Sequence, residues 1–244
     1  MPAPRANATL YLATSNAGKL DEIRALAAAC RAEASAKAGP PPFEIAALPE
    51  LSSLPPFEEI WPTFGENAAG KALHYSRTTD QLVLADDSGL VVPALGGAPG
   101  VHSARYAGPN ASDADRVAKL LEATRARVGD KREAHFVCVI AVAQRGAVRA
   151  LVSAQAEGTL LDRPRGAGGF GYDPIFFFPP LGKTFAEISR EEKNLYSHRG
   201  IATRKVMEFL ANELPLLNEP SAAQQQRVRN HQDDRGVWYS PQPK

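Results

Sequence analysis

Asp86 and Asp87 stand side by side after the apolar run LVLA (82–85) and before Ser88 and Gly89. Adjacent carboxylates repel one another unless a cation or a hydrogen-bond network holds them. Oxygen ligands of this kind suit Mg²⁺, an ion that also binds phosphates. A carboxylate at the end of a buried strand can also take a proton from an attacking water, and either aspartate could serve in one role or both. The alternative is a solvated turn in which Asp86 caps backbone amides. The apolar entry favours the first reading, because open α/β sheets place ligands beyond the ends of their strands. Glu58 and Glu59, in a Pro-rich acidic loop at 48–62, are supplementary metal ligands on this reading and solvated residues otherwise.

Three further constellations could handle a phosphorylated, aromatic ligand. Thr14, Ser15, Asn16, Ala17, Gly18 and Lys19 join a predicted strand to a predicted helix. Backbone N–H groups at such a junction attract anions, and Lys19 adds a full charge. The spacing GxxxxGK[ST] is absent, which excludes a Walker loop. The plainer alternative is a turn capped by Ser15 or Asn16. Phe170, Gly171, Tyr172 and Asp173 lie in the glycine-rich stretch RPRGAGGFGYD. Glycine permits close approach to a ligand, the aromatic rings offer a stacking face and Asp173 a polar anchor. The alternative there is a surface loop. Lys193, His198 and Arg199 are three potential cations within one or two helical turns. They could hold phosphate oxygens or a base carbonyl, or simply complement a helix end.

The elements that must position these residues follow from periodicity. A buried strand is predicted at 8–13, then a helix whose core face is Leu20, Ile23, Leu26, Ala27 and Cys30. AGPPP at 38–42 ends that helix, and a short strand is expected at 43–47. Thr63 and Glu66 form a capping-box pattern that opens a second helix. Ala68, Ala72 and Tyr75 make its packing stripe, with Asn67, Lys71 and His74 on another face. A strand at 82–85 is expected to stop at Asp86 and resume at 90–92. Ser112 is the N-cap of a helix to about 124. Strands at 135–143 and 147–156 form a hairpin across Arg145 and Gly146. A short strand at 175–178, a helix capped by Ser189 and a last helix at 201–214 complete the pattern. Residues 1–217 read as one large domain or two intimate lobes, and the Gln-rich 218–244 as a disordered tail. The fold class is α/β with a mixed sheet and flanking helices.

Bulk properties narrow the function. The chain has 244 residues, 44% apolar and 23% charged, with a net charge of +1. That balance excludes a strongly basic protein coating a nucleic-acid polymer, but not a local cation cluster. The two cysteines, Cys30 and Cys138, sit in apolar stretches and read as buried thiols, which favours a reducing, cytoplasmic setting. No signal peptide or membrane span is expected.

In order along the chain, TSNAGKLDEI, TFGENAAGKA, ADDSGL, ALGGAPGVHSARYAG, GGFGYDPIFF and EKNLYSHRG resemble the inosine/xanthosine triphosphate pyrophosphatase family, also called Ham1. The strings are spread over almost all of residues 8–214. The resemblance implies a long mixed sheet whose two lobes enclose an active-site cleft. It also implies a Mg²⁺-dependent homodimeric enzyme that cleaves non-canonical purine triphosphates (dITP/ITP, XTP/dXTP) to monophosphate and pyrophosphate. It implies that residues 14–19 and Lys71 bind the triphosphate, with Ser88 also touching substrate. Asp87 becomes proton acceptor and metal ligand, with Glu58 or Glu59 as the second metal contact. Phe170, Gly171, Tyr172 and Asp173 would hold the base, Phe170 by stacking, and Lys193, His198 and Arg199 would read its keto edge. A Maf-type house-cleaning enzyme and a non-catalytic nucleotide sensor are the rival readings.

Overall fold

A computed structural model describes residues 8–38, 43–125 and 132–217. Its strands are β1 (Ala8–Leu12), β2 (Phe43–Ala47), β3 (Leu82–Val91), β4 (Glu133–Gln144), β5 (Ala147–Leu160), β6 (Phe176–Phe178) and β7 (Lys183–Thr184). The helices are α1 (Ala17–Ala38), α2 (Phe64–Tyr75), α3 (Asp113–Thr124), α4 (Arg190–Tyr196) and α5 (His198–Leu217). Among the described residues the strands form one sheet in the order β2-β1-β3-β4-β5-β6-β7. β1 runs parallel to β2 and β3, and every pairing from β3 to β7 is antiparallel. This is the mixed sheet expected from alternating crossover helices and a hairpin. Met1–Met207 make one compact unit and Glu208–Lys244 a second, of which the described part is helical. The polar tail expected at 218–244 lies outside the described residues.

Local chemistry accounts for the boundaries. Arg145 and Gly146 both have positive φ, 51° and 74°, which is the two-residue turn that matches strand twist. Thr63 caps α2 by accepting the Glu66 amide, but Glu66 returns to the Thr63 hydroxyl rather than to its backbone, so the box is half made. The complete capping box is at Ser112 and Asp115, where α3 starts. On α1, Ile23, Leu26 and Ala27 are buried as the spacing requires. Leu20 and Cys30 are only half-buried, so just Cys138 fits the expected fully buried thiol. There the apolar surroundings push the thiol up to about 12.

The main correction concerns β3. The strand does not stop at Asp86; it runs unbroken through Gly89 to Val91, with Asp86, Asp87, Ser88 and Gly89 paired to Ile140, Val139, Cys138 and Val137. The antiparallel partner β4 supplies the hydrogen bonds that a turn would otherwise need, and this pairing is not visible locally. A strand's period of two then sends the two aspartates to opposite faces. One face packs α2 through Ala68, Ala72 and Tyr75 against Val83, Ala85, Val139 and Ala141. On the other face, Leu90 joins a core of α3, Phe136, Phe176, Phe178 and Phe185.

Candidate active site

Asp87 lies on the α2 side of the sheet and is buried. Its Oδ2 accepts from Asn67 Nδ2 at 3.0 Å, and its Oδ1 from the Ser88 amide at 2.9 Å. Burial disfavours the charged carboxylate and Glu59 adds like-charge repulsion. Together they outweigh Asn67, Lys19 and Lys71 and raise Asp87 to about 6. Asp86 has the opposite fate. Burial works against its charge too, but Lys19 at 2.8 Å, Arg199 and Lys71 overcome it and hold the carboxyl far below its usual range. The sheet thus separates two adjacent, identical side chains into a permanent anion and a carboxylate poised near neutrality.

Asp87 opens onto a cavity of about 560 Å³, within the size range of small-molecule sites. Its wall includes the cap residue Asn16 with Gly18 and Lys19 from the first turn of α1, together with Glu59, Ser88, Arg105 and Phe170 through Asp173. Within the segment 14–19, Asn16 is the helix cap, its Oδ1 accepting the Lys19 amide at 3.1 Å. Thr14 is occupied locally, accepting the Asn16 amide, and Ser15 is exposed. Ala17 begins α1. The structure therefore brings Asn16, Gly18 and Lys19 to the cavity, and Thr14 supports the turn.

Of the two acidic loop residues, only Glu59 reaches the site, where it is ion-paired to Lys71. Glu58 is exposed, and its expected role as a metal ligand is not supported. The Lys71 ammonium is disfavoured by burial, yet Asp86 and Glu59 more than restore it, so its pKa is raised. Lys71 is therefore a fixed cation next to the carboxylates. Among the described residues no three His, Cys, Asp or Glu side chains converge on one point. The Asp87–Glu59 donor set is two carboxylates facing a cavity. That fits an ion such as Mg²⁺, which keeps several waters and takes the rest of its shell from phosphate oxygens.

Phe170 brings an aromatic ring, flanked by cations, to the same cavity. Phe170 is 39% exposed, with Lys193 Nζ 4.7 Å and the Arg199 guanidinium 5.5 Å from its ring centre. It also borders a second cavity of about 340 Å³ that includes Glu22 and Lys193. Asp173 is buried, accepts the Phe170 amide at 2.9 Å and pairs with Lys193 at 2.6 Å. Gly169 sits at φ 72°, and a Cβ there would collide with the Asp173 carboxylate. Tyr172 borders the cavity, but its ring belongs to the core and its hydroxyl donates to the Ser103 carbonyl at 3.0 Å. It is a packing residue rather than a stacking face, because the 3₁₀ turn that follows, Asp173–Ile175, draws it inward. His198 and Arg199 form the first turn of α5, which starts three residues earlier than the pattern suggests, after a break at extended Ser197. His198 stacks on Phe136 with ring centres 4.7 Å apart, and burial keeps the imidazole neutral. Arg199 donates to Ser88 Oγ at 3.0 Å.

Several residues of the site escape sequence reasoning. Glu22 is buried between Arg199 and Lys193 (3.6 Å), which outweigh the burial penalty and lower its pKa. The available signal was a lone acid adjoining Ile23 and Leu26 on the apolar face of α1. Asn67 falls on a polar stripe by its spacing, yet it is fully buried and binds Asp87. Arg105, which donates to the Glu59 carbonyl, and Asp113, which accepts from Gly171, carried no signal, since their partners lie on other loops.

The fold and site define an α/β protein whose cavity is lined by the Asp87 and Glu59 carboxylates, several cations and the Phe170 ring. The model of the Ham1 family matches residues 10–209, and the chain belongs to that family. The dITP/XTP pyrophosphatase of Geobacillus kaustophilus is 47% identical over 199 residues, 82% of this chain and 92% of that protein. That of Thermus thermophilus is 45% identical, over 82% and 90%. Among solved structures, a HAM1 protein from Coxiella burnetii matches with a TM-score of 0.71 and 41% identity, covering 83% of this chain and 98% of its own. The Staphylococcus aureus Ham1 protein matches with a TM-score of 0.71, 35% identity and coverage of 84% and 99%.

Proposed function

We propose that this chain hydrolyses non-canonical purine nucleoside triphosphates, dITP/ITP and XTP/dXTP, to the monophosphate and pyrophosphate. The observation that carries this reading is Asp87, raised to about 6 beside Glu59, at a cavity that Phe170 also lines, its ring 4.7 Å from Lys193 Nζ. The names of the relatives supply the substrate class.

Asp87 and Glu59 would hold Mg²⁺, which supplies neutralisation of phosphate oxygens when bound. Asp87 orients a water and accepts its proton as the water oxygen bonds to the α-phosphorus. The α–β bridging bond breaks and pyrophosphate leaves. Lys19, drawn from its pair with Asp86 at 2.8 Å, and Lys71 meet the charge that develops on the leaving group. Phe170 stacks on the base, while Lys193, His198 and Arg199 face its 6-keto edge. Adenine presents an amino group at that edge and leaves a buried donor unpaired, which is strongly unfavourable. A homodimer belongs to the same reading, and exposed Ile60, Trp61, Val148 and Leu151 offer apolar surface for it. So does a cytoplasmic setting; no described helix is long and apolar enough to cross a membrane.

The test is pyrophosphate release from dITP, XTP, dGTP and dATP, with and without Mg²⁺. Release from dITP and XTP that needs Mg²⁺ is the expected result. No release, or full activity in Asp87→Asn, refutes the proposal. Selective turnover of modified pyrimidines would transfer it to the Maf-type reading, and tight dITP binding without turnover to the sensor.

A further inference from the structure

The segment carrying Phe170 is held by two carboxylates from different parts of the chain. Asp173, within the segment, accepts the Phe170 amide at 2.9 Å and is itself held by buried Lys193. Asp113, the first residue of α3 and 58 positions away, accepts the next amide, that of Gly171, at 2.7 Å. Gly171 has φ 62°, so these two successive N–H groups turn toward separate acceptors. Arg116 pairs with the other oxygen of Asp113. The same guanidinium donates to the carbonyls of Ala104 at 2.9 Å and Ala111 at 2.6 Å. Ala104 neighbours Arg105 on the same cavity wall. Asp113 and Arg116 thus tie the aromatic wall to the segment Gly100–Arg105, and both border the cavity. Neither is needed to cap α3, because Ser112 and Asp115 already form its capping box.

We propose that Asp113 is a positioning residue for base recognition: clamped by Arg116, it fixes the Phe170–Gly171 peptide and with it the stacking ring. The role rests on the proposed base site at Phe170. A hydrogen bond to an ionised acceptor is stronger than a neutral one. Its loss lets the ring leave the stacking position and weakens base binding by about tenfold. The phosphate side of the cavity keeps Asn16, Gly18 and Lys19 at the start of α1 and is not disturbed.

The experiment compares Asp113→Ala, Asp113→Asn and the unmodified chain. Asparagine keeps an acceptor oxygen for Gly171 and loses the charge that favours a helix N-terminus. Expected for Asp113→Ala are a KM for dITP raised about tenfold, kcat within about threefold, and an unaltered inhibition constant for inorganic tripolyphosphate, which has no base. Amide hydrogen exchange over 168–173 speeds up in Asp113→Ala, whereas Asp113→Asn, which keeps the Gly171 acceptor but gives up the ion pair with Arg116, lies between Asp113→Ala and the unmodified chain in KM and in exchange. Equal behaviour of the two variants would reduce Asp113 to a helix-end charge and overturn the proposal. So would a parallel rise in KM and in the tripolyphosphate constant, or unchanged exchange. If the unmodified chain does not turn over dITP, the functional reading fails on that arm. The exchange arm then decides the tether by itself.

Discussion

Asp87→Asn separates the chemistry proposed for this carboxylate from its burden on the fold. The Asp87 carboxyl is raised to about 6 from an ordinary 3.8. At about 1.4 kcal/mol per pH unit, that gap is about 3 kcal/mol of instability in the folded state once the group is ionised in both states. The folded pKa is raised, so the destabilisation is absent below the unfolded value. It grows as pH rises from about 4 to about 6 and is constant above. Asparagine has no charge to desolvate and none for Glu59 to repel. Its amide can retain one of the two hydrogen bonds that Asn67 Nδ2 and the Ser88 amide donate, so part of the gain is lost through the other. Urea unfolding at a series of pH values should show the stability advantage of Asp87→Asn growing by about 2–3 kcal/mol between about pH 4 and pH 8. Pyrophosphate release from dITP should fall at least about a hundredfold over the same preparations. A stability difference that is flat with pH, or that moves the other way, would refute the assignment of Asp87 as a destabilised base.

Three further outcomes follow from the same geometry. In the unmodified enzyme kcat/KM should fall on the acid side with an apparent pKa at or below about 6, since Mg²⁺ favours the carboxylate; a limb above neutrality in a pH–rate profile would contradict this. Glu59→Gln should raise the Mg²⁺ concentration for half-maximal activity by about tenfold, while Glu58→Gln, an exposed side chain, should leave it within about twofold; a metal titration of both distinguishes them. Glu22→Gln leaves buried Arg199 and Lys193 without their shared anion and should cost about 3 kcal/mol by urea unfolding, with a raised KM for dITP; a loss under about 1 kcal/mol would show that the ions are held by Asp86 and Asp173 instead.

Much of this protein was legible in one dimension. The periods of α1 and α2, the caps at Thr63, Ser112 and Ser189, and the left-handed turn at Arg145 and Gly146 are local choices, made by residues in contact with near neighbours. The presence of an acid pair, a lysine at a helix start and a glycine-flanked aromatic loop was equally local, and so was the likeness to the Ham1 family. What the sequence could not decide was how these pieces meet. Asp-Asp-Ser-Gly has the composition of a turn, and only its ladder with β4, about fifty residues on, makes it a strand. That ladder puts Asp86 among Lys19 and Arg199 and Asp87 beside Glu59 and Asn67. Glu58 and Glu59 are equal by type, and the course of the loop alone brings one of them to the cavity. Glu22, Asn67 and Asp113 have roles through partners on other elements. Residue type and spacing thus determined which chemistry was present. Tertiary structure decided which carboxylate could do it, because a pKa depends on burial and on charges brought together across the chain, which no local spacing encodes.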